Sequence, residues 1–391
     1  MKIAFALIPE KGHINPYIGP AQALVDMGHQ VVVGAPGDIS DQIARAGLVF
    51  RPDLVAASAD DRVTRGPELV ELIQDPQRLS GWIEQLLLGG IADQVPRIRD
   101  WLQRERADVA VVDPLYYPAA IAAHQCGLPW ASVSNSLNPV VPNDLHSALL
   151  GTLRRISLKR SQLFRDHGLD PAFSSADVLS PYLTVAFATE ALVGESPPGV
   201  TLVGPSFPLR DRGDEVEMRP LTADRPVVYA SFGSQLSHWP QLFERLLDAG
   251  RRVGAHLVFS MGDLAGESRW ATLIPDCDVY SYAPQLEVLR QASVFVSHGG
   301  ANSVMEAVAC GVPMLLSPMC NDQFHQAYFV EQAGIGCVED LPNTPVGCIA
   351  ERLGYLLTND GVRQAMARVA ETYRVNGSQE TARLIARLGH A

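Results

Sequence analysis

Short apolar runs that stop at turn residues alternate along this chain with longer stretches in which apolar positions recur every three or four residues. Lys2 to Ile8 is the first run, closed by a Pro/Gly/polar loop, and reads as a strand buried on both faces. The spacing then predicts a helix from Pro16 to Met27 stopped by Gly28, a buried strand from Gln30 to Gly34, and a helix over about Asp38 to Ala46. The alternation resumes with strand Val109–Val112, helix Pro118–Cys126 and strand Trp130–Ser134. Strands joined by helices through short loops call for a parallel, doubly wound sheet. A long excursion from about Pro52 to Arg106 interrupts the series.

From Leu209 to Pro226 charged residues crowd together without apolar periodicity, the mark of a linker. The pattern then starts over: strand Val227–Ser231, helix Gln241–Arg252, strands His256–Phe259 and Val279–Tyr282, helix Glu287–Ala292, strand Val294–Ser297, helix Asn302–Cys310 and strand Met314–Ser317. Helical stretches from about Val346 to Leu388 close the sequence. The expected organisation is an N-terminal Rossmann-like domain (1–208), a linker (209–226), a second Rossmann-like domain (227–375) and a C-terminal helix (376–391) packing back on the first domain. Two such domains leave a cleft lined by the carboxyl ends of their strands, where α/β proteins bind ligands.

Composition narrows the classes of function. At 391 residues, 47% hydrophobic and 19% charged, the chain can bury sizeable cores and is not a disordered polymer. Its net charge of −12, with no basic run, argues against nucleic acid and anionic lipid as partners. No stretch approaches the roughly 18 to 20 apolar residues of a membrane helix, and the start lacks the apolar length and cleavage site of a signal peptide. We expect a soluble, cytoplasmic protein without stable membrane insertion. Six scattered cysteines form no CxxC pair, so neither a disulfide framework nor a zinc site is indicated.

The loops after strands carry the chemistry. Ser297-His298-Gly299-Gly300-Ala301-Asn302-Ser303-Val304-Met305-Glu306 joins a strand to a helix, where main-chain N–H groups and the helix dipole favour an anion such as phosphate. The same string also reads as a helix start, with Asn302 as N-cap and Ser303-x-x-Glu306 as a capping box. Glu306 falls on the face of Asn302 and Ser303, where a carboxylate suits ribose hydroxyls and so favours a nucleotide over inorganic phosphate. Tyr282-Ala283-Pro284-Gln285 suits a flat base, although a tyrosine ending a strand is also ordinary core. Asp322-Gln323 fits vicinal sugar hydroxyls or a plain N-cap. In the first half, His13 lies in the loop Pro9–Pro16 and Asp113 closes the strand Val109–Val112. Together they suit a general base and the carboxylate that fixes its tautomer, or else an N-cap and a turn.

These strings, in their order, resemble one family. Gly12-His13-Ile14-Asn15-Pro16, Ser231-Phe232-Gly233-Ser234, Ala283-Pro284-Gln285 with Val288-Leu289, His298-Gly299-Gly300-x-Asn302-Ser303-x-x-Glu306, Gly311-Val312-Pro313 and Asp322-Gln323 are similar to the motifs of family 1 nucleotide-sugar glycosyltransferases, most closely the bacterial macrolide-type branch. The resemblance spans both halves. It implies the GT-B fold, an α/β architecture of two doubly wound Rossmann-like domains facing across a cleft.

Carried over residue by residue, the resemblance makes His13 the catalytic base and Asp113 its partner, with Gly12 beside them. Tyr282, Ala283 and Gln285 would hold the uracil and Glu306 the ribose. His298, Gly300, Asn302 and Ser303, helped by Gly233 and Ser234, would hold the diphosphate. Asp322 and Gln323 would hold the sugar, with Asn135 or Ser134 reaching it from the first domain. Plant members have Trp where Tyr282 and Ala301 stand here, which weakens only that comparison. A carboxylate at Glu306 favours UDP over thymidine-linked donors, whose deoxyribose has no 2′-hydroxyl.

The implied reaction is inverting transfer of a hexose, glucose first, from a UDP-sugar co-substrate to a hydroxyl of a lipophilic small molecule of the natural-product or antibiotic kind. No cofactor is expected, and no residue cluster is spaced like a Mg²⁺ or Mn²⁺ site. The excursion 52–106 and the segment 138–177 are expected to wall the acceptor. Their Trp82, Leu86, Leu87, Leu88, Leu149, Leu150 and Phe164 suit a lipophilic aglycone or a plain core. A TDP-deoxysugar transferase and a GT-B-like sugar-nucleotide epimerase remain as alternatives. A hydrolase lacks its Gly-x-Ser-x-Gly, and a dehydrogenase its Gly-x-Gly-x-x-Gly.

Overall fold

The computed structural model describes residues 1–56, 67–213, 221, 224–233, 239–271 and 277–389. Its backbone divides into two compact units: the described residues of 1–63, 77–214 and 375–391 form the first, and those of 64–76 and 215–374 the second. Residues 214–220 and 222–223 of the linker expected at 209–226, and Ser234, lie outside the described residues.

The first unit is built on strands β1 (Lys2–Ala6), β2 (Gln30–Gly34), β3 (Val49–Phe50), β4 (Val109–Val112) and β5 (Trp130–Ser134). An antiparallel hairpin, β6 (Phe173–Ser174) and β7 (Asp177–Val178), is followed by β8 (Leu183–Ala186) and β9 (Val200–Leu202). The seven-stranded sheet is parallel throughout, in the order β3-β2-β1-β4-β5-β8-β9. Every residue of β4 and β5 is buried, as the unbroken apolar runs required. Strands β3, β8 and β9 escape sequence reading because they are only two, four and three residues long.

The excursion after β3 is helical: Pro67–Ile73, Pro76–Leu88 and Ile91–Glu105, with 57–66 outside the described residues. Leu79, Ile83 and Leu87, each four residues apart, form one buried face, and Ile91, Val95, Ile98 and Leu102 continue it. The segment 138–177 contributes a long helix, Ala148–Asp166, capped by the Ser147 side chain.

The first helix runs Lys11–Asp26, so His13 sits in its first turn rather than in a loop before Pro16. Pro16 and Pro20 are therefore inside a helix, where each lacks an N–H for the carbonyl four residues back. Side chains from elsewhere compensate: Asn135 Nδ2 donates to Gly12 O at 3.1 Å, and Ser206 Oγ to Pro16 O at 2.6 Å. The C-terminal helix, Gly377–Leu388, lies against this helix in the same unit. The approach is close at two glycines: a Cβ on Gly19 would collide with Phe207 O and Ser378 Oγ, and one on Gly377 would lie 2.5 Å from Pro205 O.

The second unit repeats the design with β10 (Val227–Ser231), β11 (His256–Ser260), β12 (Cys277–Tyr280), β13 (Val294–Ser297), β14 (Met314–Leu316) and β15 (Gly336–Val338). These also pair in parallel, in the order β12-β11-β10-β13-β14-β15. Strand β12 ends at Tyr280, two residues before the expected Tyr282. Among the described residues no helix is long and apolar enough to cross a membrane.

In each sheet the chain builds outward on one side, then returns to build on the other. The reversal falls between β1 and β4 in the first unit and between β10 and β13 in the second. At such a point the loops diverge to opposite faces and leave a crevice at the carboxyl ends of the strands.

Candidate active site

The sheet reversal of the first unit brings two of the singled-out residues together. Ala6 and Val112 are paired in register, so the segments that follow β1 and β4 leave the sheet side by side. His13 and Asp113 meet there, with Nδ1 to Oδ2 at 2.6 Å. Asp113 is fully buried, while the His13 side chain keeps about a fifth of its surface exposed. The second Asp113 oxygen accepts from the Leu115 N–H at 3.0 Å, which locks the carboxylate plane. A carboxylate engaged at Nδ1 makes that nitrogen the donor and leaves Nε2 the basic atom of the neutral ring.

Asn135 is tied to the start of the first helix. Its amide nitrogen is committed to Gly12 O and steadies the turn that carries His13. Ser134 is buried, and its hydroxyl donates to the carboxylate of Asp177. Of the apolar residues set aside for an acceptor wall, Leu87, Leu149 and Phe164 are core, whereas Trp82, Leu86, Leu88 and Leu150 are only half-buried.

In the second unit, the loop after β13 enters the helix Ala301–Cys310 with Gly300 at the N-cap position and no side-chain cap. Asn302 and Ser303 are therefore residues of the first turn, and the capping-box reading fails. Ser303 Oγ instead accepts from Gln285 Nε2 at 3.3 Å. The same nitrogen donates to Glu306 Oε2 at 2.7 Å, and Tyr229 Oη donates to Gln285 Oε1 at 3.3 Å. Gln285, Ser303 and Glu306 thus form one cluster, with Glu306 almost wholly buried beneath it.

His298 is wedged between glycines. A Cβ on Gly233 would lie 2.9 Å from its Cε1, and one on Gly300 2.7 Å from its Nε2. Burial pushes its pKa down to about 4, against the opposing pull of Asp322 and of a Ser231 main-chain bond. His298 is therefore neutral near pH 7 and offers a ring hydrogen bond rather than a charge.

Three further singled-out residues make contacts within the protein. The Ala283 N–H donates to Ser260 Oγ at 3.2 Å, so it is not an open donor for a base. Gln323 Oε1 accepts from the Met319 and Cys320 N–H groups at 2.8 and 3.1 Å, which makes this side chain a brace for its own loop. Asp322 occupies the N-cap of the helix Gln323–Gln332 without capping it, its Oδ2 accepting from Gln326 Nε2 at 2.7 Å. Tyr282 is half-buried beyond the end of β12.

Sequence reading missed a row of serines. Ser231, Ser260 and Ser297 end β10, β11 and β13 and lie in register across the sheet. Their hydroxyls brace nearby loops: Gly299 N–H donates to Ser297 Oγ at 3.3 Å, and Ala283 N–H, beyond the neighbouring β12, to Ser260 Oγ at 3.2 Å. A small hydroxyl residue closing each of three buried strands was the available signal. Among the described residues no three His, Cys, Asp or Glu side chains are grouped as a metal would need.

Two parallel α/β units, each with its singled-out loops at a sheet reversal, define the GT-B architecture of glycosyltransferases. The kitacinnamycin glycosyltransferase structure superimposes with a TM-score of 0.77 at 22% identity, covering 99% of this chain and 98% of that one. The glycosyltransferase VinC, solved in complex with DTDP, gives 0.73 at 18% identity with full coverage of both chains. In sequence, residues 210–343 match the family described as UDP-glucoronosyl and UDP-glucosyl transferase. The demethyllactenocin mycarosyltransferase of Streptomyces fradiae is 26% identical over 407 residues, covering 97% of this chain and 84% of the relative. In sequence the chain is thus similar to family 1 nucleotide-sugar glycosyltransferases, those of Streptomyces macrolide glycosylation among them, and in structure it shares their GT-B fold.

Proposed function

We propose that the chain moves a hexose, with glucose as first candidate, from UDP to a hydroxyl of a lipophilic small molecule, with inversion and without a metal. His13 Nε2 takes the proton from the acceptor hydroxyl. The freed oxygen attacks the anomeric carbon, and the bond to the nucleoside diphosphate breaks on the opposite face. Asp113 holds the ring and offsets the positive charge it gains. General base catalysis is worth about 10² to 10⁴-fold. The observation that carries this assignment is the 2.6 Å bond between His13 Nδ1 and a fully buried carboxylate at the sheet reversal.

For the donor, the first turn at Ala301–Ser303 supplies N–H groups for the departing diphosphate, with neutral His298 as a further hydrogen-bonding group. Glu306 and Gln285 are the candidates for the ribose. A carboxylate there supports UDP over a thymidine nucleotide. A TDP-deoxysugar donor is the second reading, favoured by the DTDP bound in the VinC structure and by the mycarosyl transfer in the relative's name. A panel of hydrophobic alcohols and phenols, offered with UDP-glucose and with TDP-glucose, decides between them. Nucleotide release that depends on the added alcohol supports transfer and counts against an epimerase. Release or epimerisation without an acceptor reverses that conclusion.

A further inference from the structure

Gln326 is fully buried at the start of the helix Gln323–Gln332, four residues after Asp322 and so on its face. Its Nε2 donates to Asp322 Oδ2 at 2.7 Å, while its Oε1, equally buried, meets no donor among the described residues. An ionised carboxylate only accepts, so the amide cannot turn its oxygen that way. An apolar side chain of this length would pack there without leaving an acceptor unsatisfied, so packing alone does not account for an amide. The bond fixes one oxygen of Asp322, and among the described residues nothing donates to the other, Oδ1.

The turn before Asp322 is held from several sides. Asn321 lies in the left-handed region at a φ of 52°, and Gln323 Oε1 ties down the Met319 and Cys320 N–H groups. The turn also packs on the loop that opens the helix Ala301–Cys310: a Cβ on Gly299 would lie 3.2 Å from Gln323 O. Asp322 therefore stands beside the helix start proposed for the diphosphate, in keeping with its pull on His298. A bare carboxylate there repels a diphosphate unless hydroxyl groups donate to it, and the sugar attached to the diphosphate carries them. We propose that Gln326 is a positioning residue for the donor: by holding Asp322 Oδ2 it directs Oδ1 at the hydroxyl groups of the transferred sugar. An unheld carboxylate rotates about its last bond, and ordering it when the sugar arrives costs affinity. The inference rests on the sugar-nucleotide reading above, with Asp322 at the sugar.

The test is isothermal titration of the full chain with UDP and with UDP-glucose, and the ratio of the two affinities isolates the sugar. Gln326→Met keeps the length and the burial and removes the donor. It should leave UDP binding unchanged and lower the ratio about three- to tenfold, the size of one hydrogen bond. Asp322→Ala should lower the ratio at least as far, and adding Gln326→Met to it should lower it no further. Gln326→Asn keeps a buried amide one methylene short of Asp322. It should give the same loss, and it decides the matter if Gln326→Met does not fold. Equal weakening of UDP and UDP-glucose, an unchanged ratio in the folded variant, or a loss that persists in the Asp322→Ala background overturns the proposal. A parent that binds TDP and TDP-glucose but not the uridine pair moves the same comparison to that pair and sinks the UDP reading alone. A parent that binds neither pair overturns the donor reading and the proposal with it.

Discussion

The carbonyl oxygen of Gly12, to which Pro16 has no N–H to give, is held instead by the side-chain amide of Asn135 at 3.1 Å. A proline inside a helix costs about 3 kcal/mol, much of it from such an abandoned acceptor. The same helix repeats the device one turn on, with Pro20 and the Ser206 hydroxyl. Two substitutions follow. Asn135→Ala should lower the unfolding temperature of the first unit by about 2 to 4 °C, the size expected for one ordinary hydrogen bond. Ser206→Ala should cost more, because Ser206 is buried and bulk water cannot take its place. Differential scanning calorimetry reads both, and a neutral Ser206→Ala would contradict the account.

The proline pair also shows how far the sequence could be read. Pro16 looked like a helix start because proline favours the first turn, and only a compensating donor more than a hundred residues away allows the helix to begin at Lys11. The buried strands β1, β4, β10 and β13 were legible because burial on both faces demands unbroken apolar runs. Strands β3, β9 and β15 were not, since two or three residues carry no period. In the site, residue types and order were enough to single out His13 with Asp113, and Gln285 with Ser303 and Glu306. Partners could not be read from one dimension. Ala283 N–H donates to Ser260 and Gln323 Oε1 accepts from the 319–320 main chain, contacts that residue types and order do not reveal.

His298 makes stability depend on pH with a definite sign. Its folded pKa of about 4 lies below its ordinary value of 6.5. Between those values the unfolded chain binds more protons than the folded one. The stabilisation tied to the neutral ring is therefore complete above about pH 6.5 and is lost progressively as pH falls toward 4. His298→Asn, compared with the parent by denaturant titration across that window, should flatten this part of the profile. An unchanged slope would mean that the ring takes up its proton at the same pH in the folded and unfolded chains, and would contradict the lowered pKa.

The cluster around Gln285 addresses nucleotide choice. A charged hydrogen bond from a ribose 2′-hydroxyl is worth about 1.5 to 3 kcal/mol. Glu306→Gln should therefore weaken UDP binding roughly tenfold or more, while TDP, which lacks that hydroxyl, changes little. Isothermal titration with the two nucleotides reads the difference. Equal weakening of both would assign Glu306 to the support of Gln285 and Ser303 alone.

Close backbone approach makes Gly19 and Gly377 sensitive positions. An alanine at either needs the main chain at Phe207 or at Pro205 to retreat. Gly19→Ala and Gly377→Ala should each cost about 1 to 3 kcal/mol by thermal or chemical unfolding, the usual range for overpacking. Gly151→Ala, where a Cβ meets nothing within 4 Å on an exposed helix face, should be neutral or mildly stabilising. Loss of stability at Gly151 equal to that at Gly19 would contradict the packing described.

The central claim is that His13 is the base of a sugar transfer, and it is met most directly by comparing His13→Ala with the parent protein. The measurement is glycoside formed per unit time from UDP-glucose and the best acceptor of the panel, with UDP affinity recorded for both proteins. We predict a rate about 10² to 10⁴ times lower with UDP affinity unchanged. Glycoside formed by His13→Ala at the parent's rate would contradict the account.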